Sequence, residues 1–168
     1  MKKLFKYTGV TISLILFAFI ILYFNNDIGT YKENIEPDAR ADQKISDNWK
    51  VSKDSTEMAS AMIFYDDSHS KNTFSIYSNR DGLSFGYFYR TGGGIPPIGI
   101  SKFHLDNSNE TIFISMNNEH VSTIKTNSGN SINVDSTKPF AIIVPNDAGT
   151  ITAYDINGNT IEVNTQVL

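Results

Sequence analysis

Hydrophobic positions along this chain fall into two regimes. Near the start they run together: after Lys2, Lys3 and Lys6 no charged residue appears until Asp27, and the centre from Leu14 to Leu22 carries no polar side chain. Twenty residues at about 1.5 Å each reach roughly 30 Å as a helix, the thickness of a hydrocarbon core. Tyr7 at one end and Tyr23-Phe24 at the other stand where interfacial aromatics are expected. The pattern predicts a membrane helix over 7–26 behind a cytoplasmic tail, 1–6. A cleaved signal peptide shares the basic start and apolar middle. The run is longer than an ordinary signal core, however, and Asn25-Asn26-Asp27-Ile28-Gly29 offers no small-x-small cleavage pattern, so an uncleaved signal-anchor is expected. Three lysines ahead of the helix predict a single-pass protein of the cell membrane, N-terminus inside and the remaining chain extracytoplasmic.

The second regime alternates. From Trp49 onward, short runs rich in Ile, Val, Thr, Phe and Tyr are separated by Asn, Gly and Asp clusters, a strand-and-turn pattern. Strands are predicted near 49–53, 61–65, 73–78, 83–90, 100–105, 111–116, 120–126, 131–134, 140–144, 150–156 and 160–163. Turns fall at 79–82, 117–118, 127–130 and 147–149, and Asn157-Gly158 is a strong hairpin signal. Leu83, Phe85, Tyr87 and Tyr89 alternate with Ser84, Gly86, Phe88 and Arg90, and Ile112, Ile114 and Met116 alternate with Phe113 and Ser115. One dry and one wet face per strand is the antiparallel pattern. The expected architecture is therefore an all-β domain over 49–168, an antiparallel β-sandwich or barrel-like sheet of about ten short strands. Between helix and domain, 27–48 reads as a polar stalk with few large apolar residues, interrupted by Pro37.

Composition narrows the function classes. The 168 residues include no cysteine, which removes disulfides, thiolate metal sites and thiol nucleophiles. A net charge of −4 and the lack of a basic cluster beyond the N-terminus exclude a nucleic-acid partner. Outside the membrane the chain keeps eleven basic and eighteen acidic residues, a net of −7, which predicts an exterior domain that stands off anionic headgroups.

Candidate chemistry is sparse. Asp66-Asp67-Ser68-His69-Ser70 contains catalytic residue types, but triad members meet through the fold rather than by adjacency, so it reads as a solvated loop. His69, His104 and His120 lack metal-ligand spacing. The segment from Asp155 resembles the start of a calcium loop, but Thr160 stands where the sharp turn needs glycine and Gln166 where the bidentate glutamate belongs. Asn109-Glu110-Thr111 is a glycosylation tripeptide that matters only in a eukaryotic secretory context. Thr91-Gly92-Gly93-Gly94-Ile95-Pro96-Pro97-Ile98-Gly99 joins glycines to a stiff apolar tip rather than to a helix, which argues against a phosphate cradle and for a protruding contact loop. Ile95, Pro96, Pro97 and Ile98 are the interaction candidates there, joined by Phe88 and Arg90 as an aromatic–arginine patch if Phe88 faces outward.

These readings imply a membrane-anchored component of a bacterial envelope whose β-domain binds another envelope protein. No catalytic residue, cofactor or metal is assigned. The alternatives are a sensor of small ligands or carbohydrates with aromatics lining a groove, and then an envelope hydrolase built on the loop from Asp66 to His69.

Overall fold

The apolar run becomes helix α1 (Lys2–Phe24), and Tyr7–Phe24 has a mean hydropathy of 2.1 with none of it buried within the protein. By length and composition α1 is able to cross a membrane. The structure, a computed structural model, describes residues 2–80, 84–105, 109–127, 129–145 and 151–167. The expected turns at 81–82 and 147–149, and the ends of strands expected at Leu83 and Thr150, lie outside these residues.

Beyond α1 come a 3-10 turn (Lys32–Asn34), helix α2 (Ile35–Asp42) and the strands β1 (Lys50–Ser55), β2 (Ala59–Tyr65), β3 (Asn72–Ser78) and β4 (Phe88–Gly93). There follow β5 (Ile100–His104), β6 (Glu110–Ser115), β7 (Val121–Thr126) and β8 (Ser131–Asn133). The last four are β9 (Phe140–Pro145), β10 (Ile151–Asp155), β11 (Thr160–Ile161) and β12 (Val163–Val167). They build three four-stranded sheets, ordered β1-β2-β3-β4, β12-β5-β6-β9 and β11-β10-β7-β8. The protein is mostly β, and among the described residues its strand pairs are antiparallel apart from β12 with β5.

The expected wet face is missing from the central strands. Every residue of β2 and of β6 is buried. In β6, Ile112 and Ile114 join Ala61, Ile63 and Phe74 in one hydrophobic cluster, while Phe113 points the other way to join Val121, Ile124 and Ala153. The sheet containing β6 is thus shared between two cores, which accounts for an apolar Phe113 among positions expected to be polar. Full burial of each such Ile or Phe contributes roughly 1.5–3 kcal/mol.

The stalk is not a spacer. In α2, Ile35 and Ala39 are one turn apart and both buried, packing with Met62, Phe64, Tyr77 and Tyr87 on the second face of the β1–β4 sheet. Pro37 sits in the first turn of α2, where its missing N–H is no loss. Arg40 donates to Glu36, to the carbonyls of Ser46 and Trp49, and lies 4.9 Å over the Phe64 ring. Few apolar residues were needed, because the helix covers only one sheet face.

The strand expected over 83–90 is also corrected. Regular pairing begins at Phe88, and the preceding residues bridge instead to the former stalk, Phe85 to Ile28 and Tyr87 to Thr30. Gly86 makes this approach: its φ is +89°, and a Cβ there would lie 2.8 Å from the Thr30 carbonyl oxygen. Only glycine fits such a site without strain. The run expected at 160–163 divides between sheets, with β11 closing the hairpin onto β10 and β12 pairing with β5.

Candidate functional site

The loop between β4 and β5 is the candidate contact surface, and it is shorter than expected. Gly92 and Gly93 belong to β4, leaving 94–99 as the connection. Both ends are pinned. Asn72 clamps the backbone of Ile95, its Oδ1 accepting the N–H at 2.8 Å and its Nδ2 donating to the carbonyl at 3.3 Å. At the other end the Gly99 N–H donates to the Glu119 carboxylate at 2.5 Å, the Ser115 hydroxyl donates to the Gly99 carbonyl at 2.8 Å, and Asn118 Nδ2 donates to the Pro97 carbonyl at 2.9 Å.

This clamping separates the two isoleucines. Ile98 is 64% exposed, whereas Ile95 is 7% exposed and belongs to the same cluster as Phe74, Phe103 and Leu105. The expectation that Ile95 faces a partner is therefore corrected: Asn72 holds its backbone so that the side chain closes the core. The exposed tip consists of Pro96, Pro97 and Ile98.

Phe88 and Arg90 do not make the expected patch with each other. Phe88 is half-buried, and the guanidinium above its ring, at 3.8 Å, is that of Arg80. Arg90 is exposed, and its Nε donates to the Ser78 hydroxyl at 2.6 Å. The contact from Arg80 was illegible in the sequence, because it closes across the β3–β4 connection and no local pattern records the direction of either side chain.

The polar loop between β2 and β3 spends its chemistry on its own closure. Asp66 accepts the N–H groups of Ser70 and Lys71 and the hydroxyls of Ser68 and Ser70. Partial burial raises the acid's pKa, but these bonds outweigh it and bring the carboxyl down to about 2. Asp67 pairs with Lys50, and the His69 ring meets Tyr65 edge-on at 5.1 Å. His120 Nδ1 lies 3.0 Å from the Ser136 carbonyl in the turn before β7, and His104 ends β5. Among the described residues no three His, Asp or Glu side chains are grouped to hold a metal ion. Asp155 closes the β10–β11 hairpin by accepting the N–H groups of Asn157 and Asn159.

A groove of about 660 Å³ runs between α2 and β1, lined by Glu33, Glu36, Arg40, Asp47 and Lys53 among others. Its two bases, Arg40 and Lys53, both pair with Glu36. Partial burial raises the Glu36 pKa, and bonds from Lys53 at 2.6 Å and Arg40 at 3.1 Å more than offset this to hold it below the usual carboxylate range. The groove presents charge rather than aromatic rings, so it differs from the aromatic-lined site a carbohydrate sensor needs.

Sequence reasoning also passed over Asn117, which is 4% exposed and has a φ of +55°. Its amide donates to the carbonyls of Asp135, Lys138 and Val121 and accepts the Val121 N–H at 2.7 Å. The turn carrying Asn118 and Glu119, which pins the contact loop, is thus itself held from inside. Set against family models, curated proteins and solved structures, the chain matches none of them.

Proposed function

We propose that the chain is a single-pass membrane protein whose β-domain is an extracytoplasmic protein-interaction module without catalysis, exposing the Pro96-Pro97-Ile98 tip to a partner in the envelope. The observation that carries this reading is the contrast within one loop. Ile98 is exposed while its neighbours on both sides are anchored by Asn72, Asn118 and Glu119. A tip that is apolar, proline-stiffened and pinned loses little entropy on binding, the property of a contact surface rather than of a solvated linker. The apolar stretch Tyr7–Phe24 of α1 supports the anchor, and the lysines ahead of that stretch support an N-terminus on the cytoplasmic side.

The test is a photoreactive amino acid at position 98 of the full chain in its native membrane. A discrete adduct from position 98, absent from an equivalent probe at position 130, is the expected result. Equal labelling at both positions, or at neither, refutes the contact loop. An aqueous small-molecule ligand lodged in the α2–β1 groove would instead redirect the reading to a sensor.

A further inference from the structure

Helix α1 does not release the chain into a flexible tether. Asn26, with φ of +55°, closes it in a Schellman motif: its own N–H reaches the Tyr23 carbonyl at 3.2 Å, and the Asp27 N–H reaches the Leu22 carbonyl at 2.9 Å. The Asp27 carbonyl then accepts the Phe85 N–H at 2.9 Å, the Gly29 N–H donates to the Phe85 carbonyl at 2.6 Å, and Thr30 and Tyr87 exchange both backbone bonds at 2.8 Å. Two hydrogen bonds in series therefore join the last turn of α1 to Phe85. Arg80 adds a third tie, donating to the Asn26 carbonyl at 3.2 Å.

What this clamp presents is apolar. Phe24 is 77% exposed and Phe85 is 51% exposed, with Tyr23 and Ile28 exposed beside them. Ile28 and Phe85 are bridged neighbours, so their backbones lie about 4.8 Å apart. The uncharged 18-residue stretch Tyr7–Phe24 spans about 27 Å, slightly less than a hydrocarbon core of about 30 Å. When α1 crosses a bilayer, Tyr23 and Phe24 stand at its boundary, and the residues that follow enter a headgroup layer only about 5–8 Å deep. The helix-closing turn keeps Asp27 back against the Leu22 carbonyl, so the Ile28–Phe85 pair has no length of chain with which to leave that layer.

We propose that Ile28 and Phe85, with Tyr23 and Phe24, form a bilayer-contact surface that seats the β-domain on the headgroup layer of the membrane α1 crosses. The domain then has a fixed height and tilt, and the loop tip at Ile98 is displayed at a set position rather than swept on a tether. This reverses the stand-off expected from net charge alone, because the contact is apolar and local while the acidic residues are spread over the domain. The inference rests on α1 being a membrane span.

The full-length chain in phosphatidylcholine vesicles tests it. Since the protein has no cysteine, Phe17→Cys in α1, Ile28→Cys and Asn157→Cys in the distant β10–β11 hairpin each accept one nitrobenzoxadiazole label. Lipids carrying a nitroxide at the headgroup, mixed with lipids carrying one along the acyl chain, are the quencher. The expected result is strong quenching at 17, clear quenching at 28 and none at 157, with Phe85→Ser lowering the signal at 28 and leaving 17 unchanged. Quenching at 17 with position 28 as dark to lipid as 157 overturns the seat while leaving the anchor intact. No quenching at 17 overturns the anchor and the seat together. Position 28 shielded from aqueous iodide but not quenched by lipid marks a second protein copy over the patch, and also refutes the proposal. A signal at 28 indifferent to Phe85→Ser removes the β-domain from the contact.

Discussion

The Tyr77 hydroxyl donates to the Asp38 carboxylate at 2.8 Å, so a residue at the centre of the β1–β4 sheet holds one in the segment that reads as a stalk. Tyr77 is otherwise sealed under α2, and its ring meets Tyr89 edge-on at 5.6 Å. Burial, and after it the Asp38 carboxylate, pushes the Tyr77 phenol far above its ordinary value. Burial also raises Tyr87, whose hydroxyl donates to the Thr56 carbonyl at 2.6 Å.

An alkaline limit follows. In the folded protein these phenols keep their protons above pH 10, whereas in the unfolded chain they lose them near pH 10. Stability is complete below about pH 10 and declines above it, by up to about 1.4 kcal/mol per pH unit for each such tyrosine. Tyr89 is also raised, by burial first and Asp42 second, but it is half exposed and adds little. Tyr77→Phe should lower stability by about 1 kcal/mol at pH 7 and flatten the decline above pH 10. Thermal melts from pH 7 to 11.5 check both; an unchanged slope in the variant removes Tyr77 as the cause.

The segment from Asp27 to Asp47 should behave as part of the domain. A fragment beginning at Asn26 is expected to be soluble, β-rich and cooperative in urea. One beginning at Asn48 uncovers Met62, Phe64, Tyr77 and Tyr87, and should aggregate or melt at lower temperature. Equal stability of the two fragments would show that α2 is only draped on the sheet.

Ile95 and Ile98 should respond unequally to loss of the side chain. Ile98→Ser is expected to change folding stability by less than about 0.5 kcal/mol, as at other surface sites. Ile95→Ala should cost about 2–4 kcal/mol through the cavity it leaves beside Phe74 and Phe103. Denaturant midpoints read at constant slope decide between them.

Asn117→Ala should be among the costlier polar substitutions, at about 2–4 kcal/mol, since it removes both partners of the buried Val121 backbone and the donor to the Asp135 and Lys138 carbonyls. Asn117→Asp, which keeps the acceptor for the Val121 N–H but loses the donors, should fall at a similar level. A loss below about 0.5 kcal/mol would mean that water replaces the amide there.

The anchor has its own tests. N-terminal sequencing of protein extracted from membranes should begin at or near Met1, and a start between Asn25 and Thr30 would mark a cleaved signal instead. Phe17→Arg should impair insertion, since a central arginine costs about 2.5–3.5 kcal/mol on insertion scales.

Some of this protein is determined by its sequence alone. The apolar run predicts α1 because twenty residues without charge have no other comfortable home, and most strands are legible because β-branched and aromatic runs between turn residues encode a local preference. Those properties depend on near neighbours. The tertiary structure decided what depends on distant ones. Whether Phe113 is out of place, whether 27–48 is solvated, and which isoleucine of one loop is buried each turn on what lies across the face, and alternation within a strand carries no record of it. Ile35 and Ala39 among eight residues of α2 make too weak a stripe to predict docking, yet a sheet with both faces apolar needs that cover. Asn72 at Ile95 and Asp38 at Tyr77 are pairings between separate segments, and Arg80 over Phe88 closes across the β3–β4 connection; all are created only when the sheets assemble.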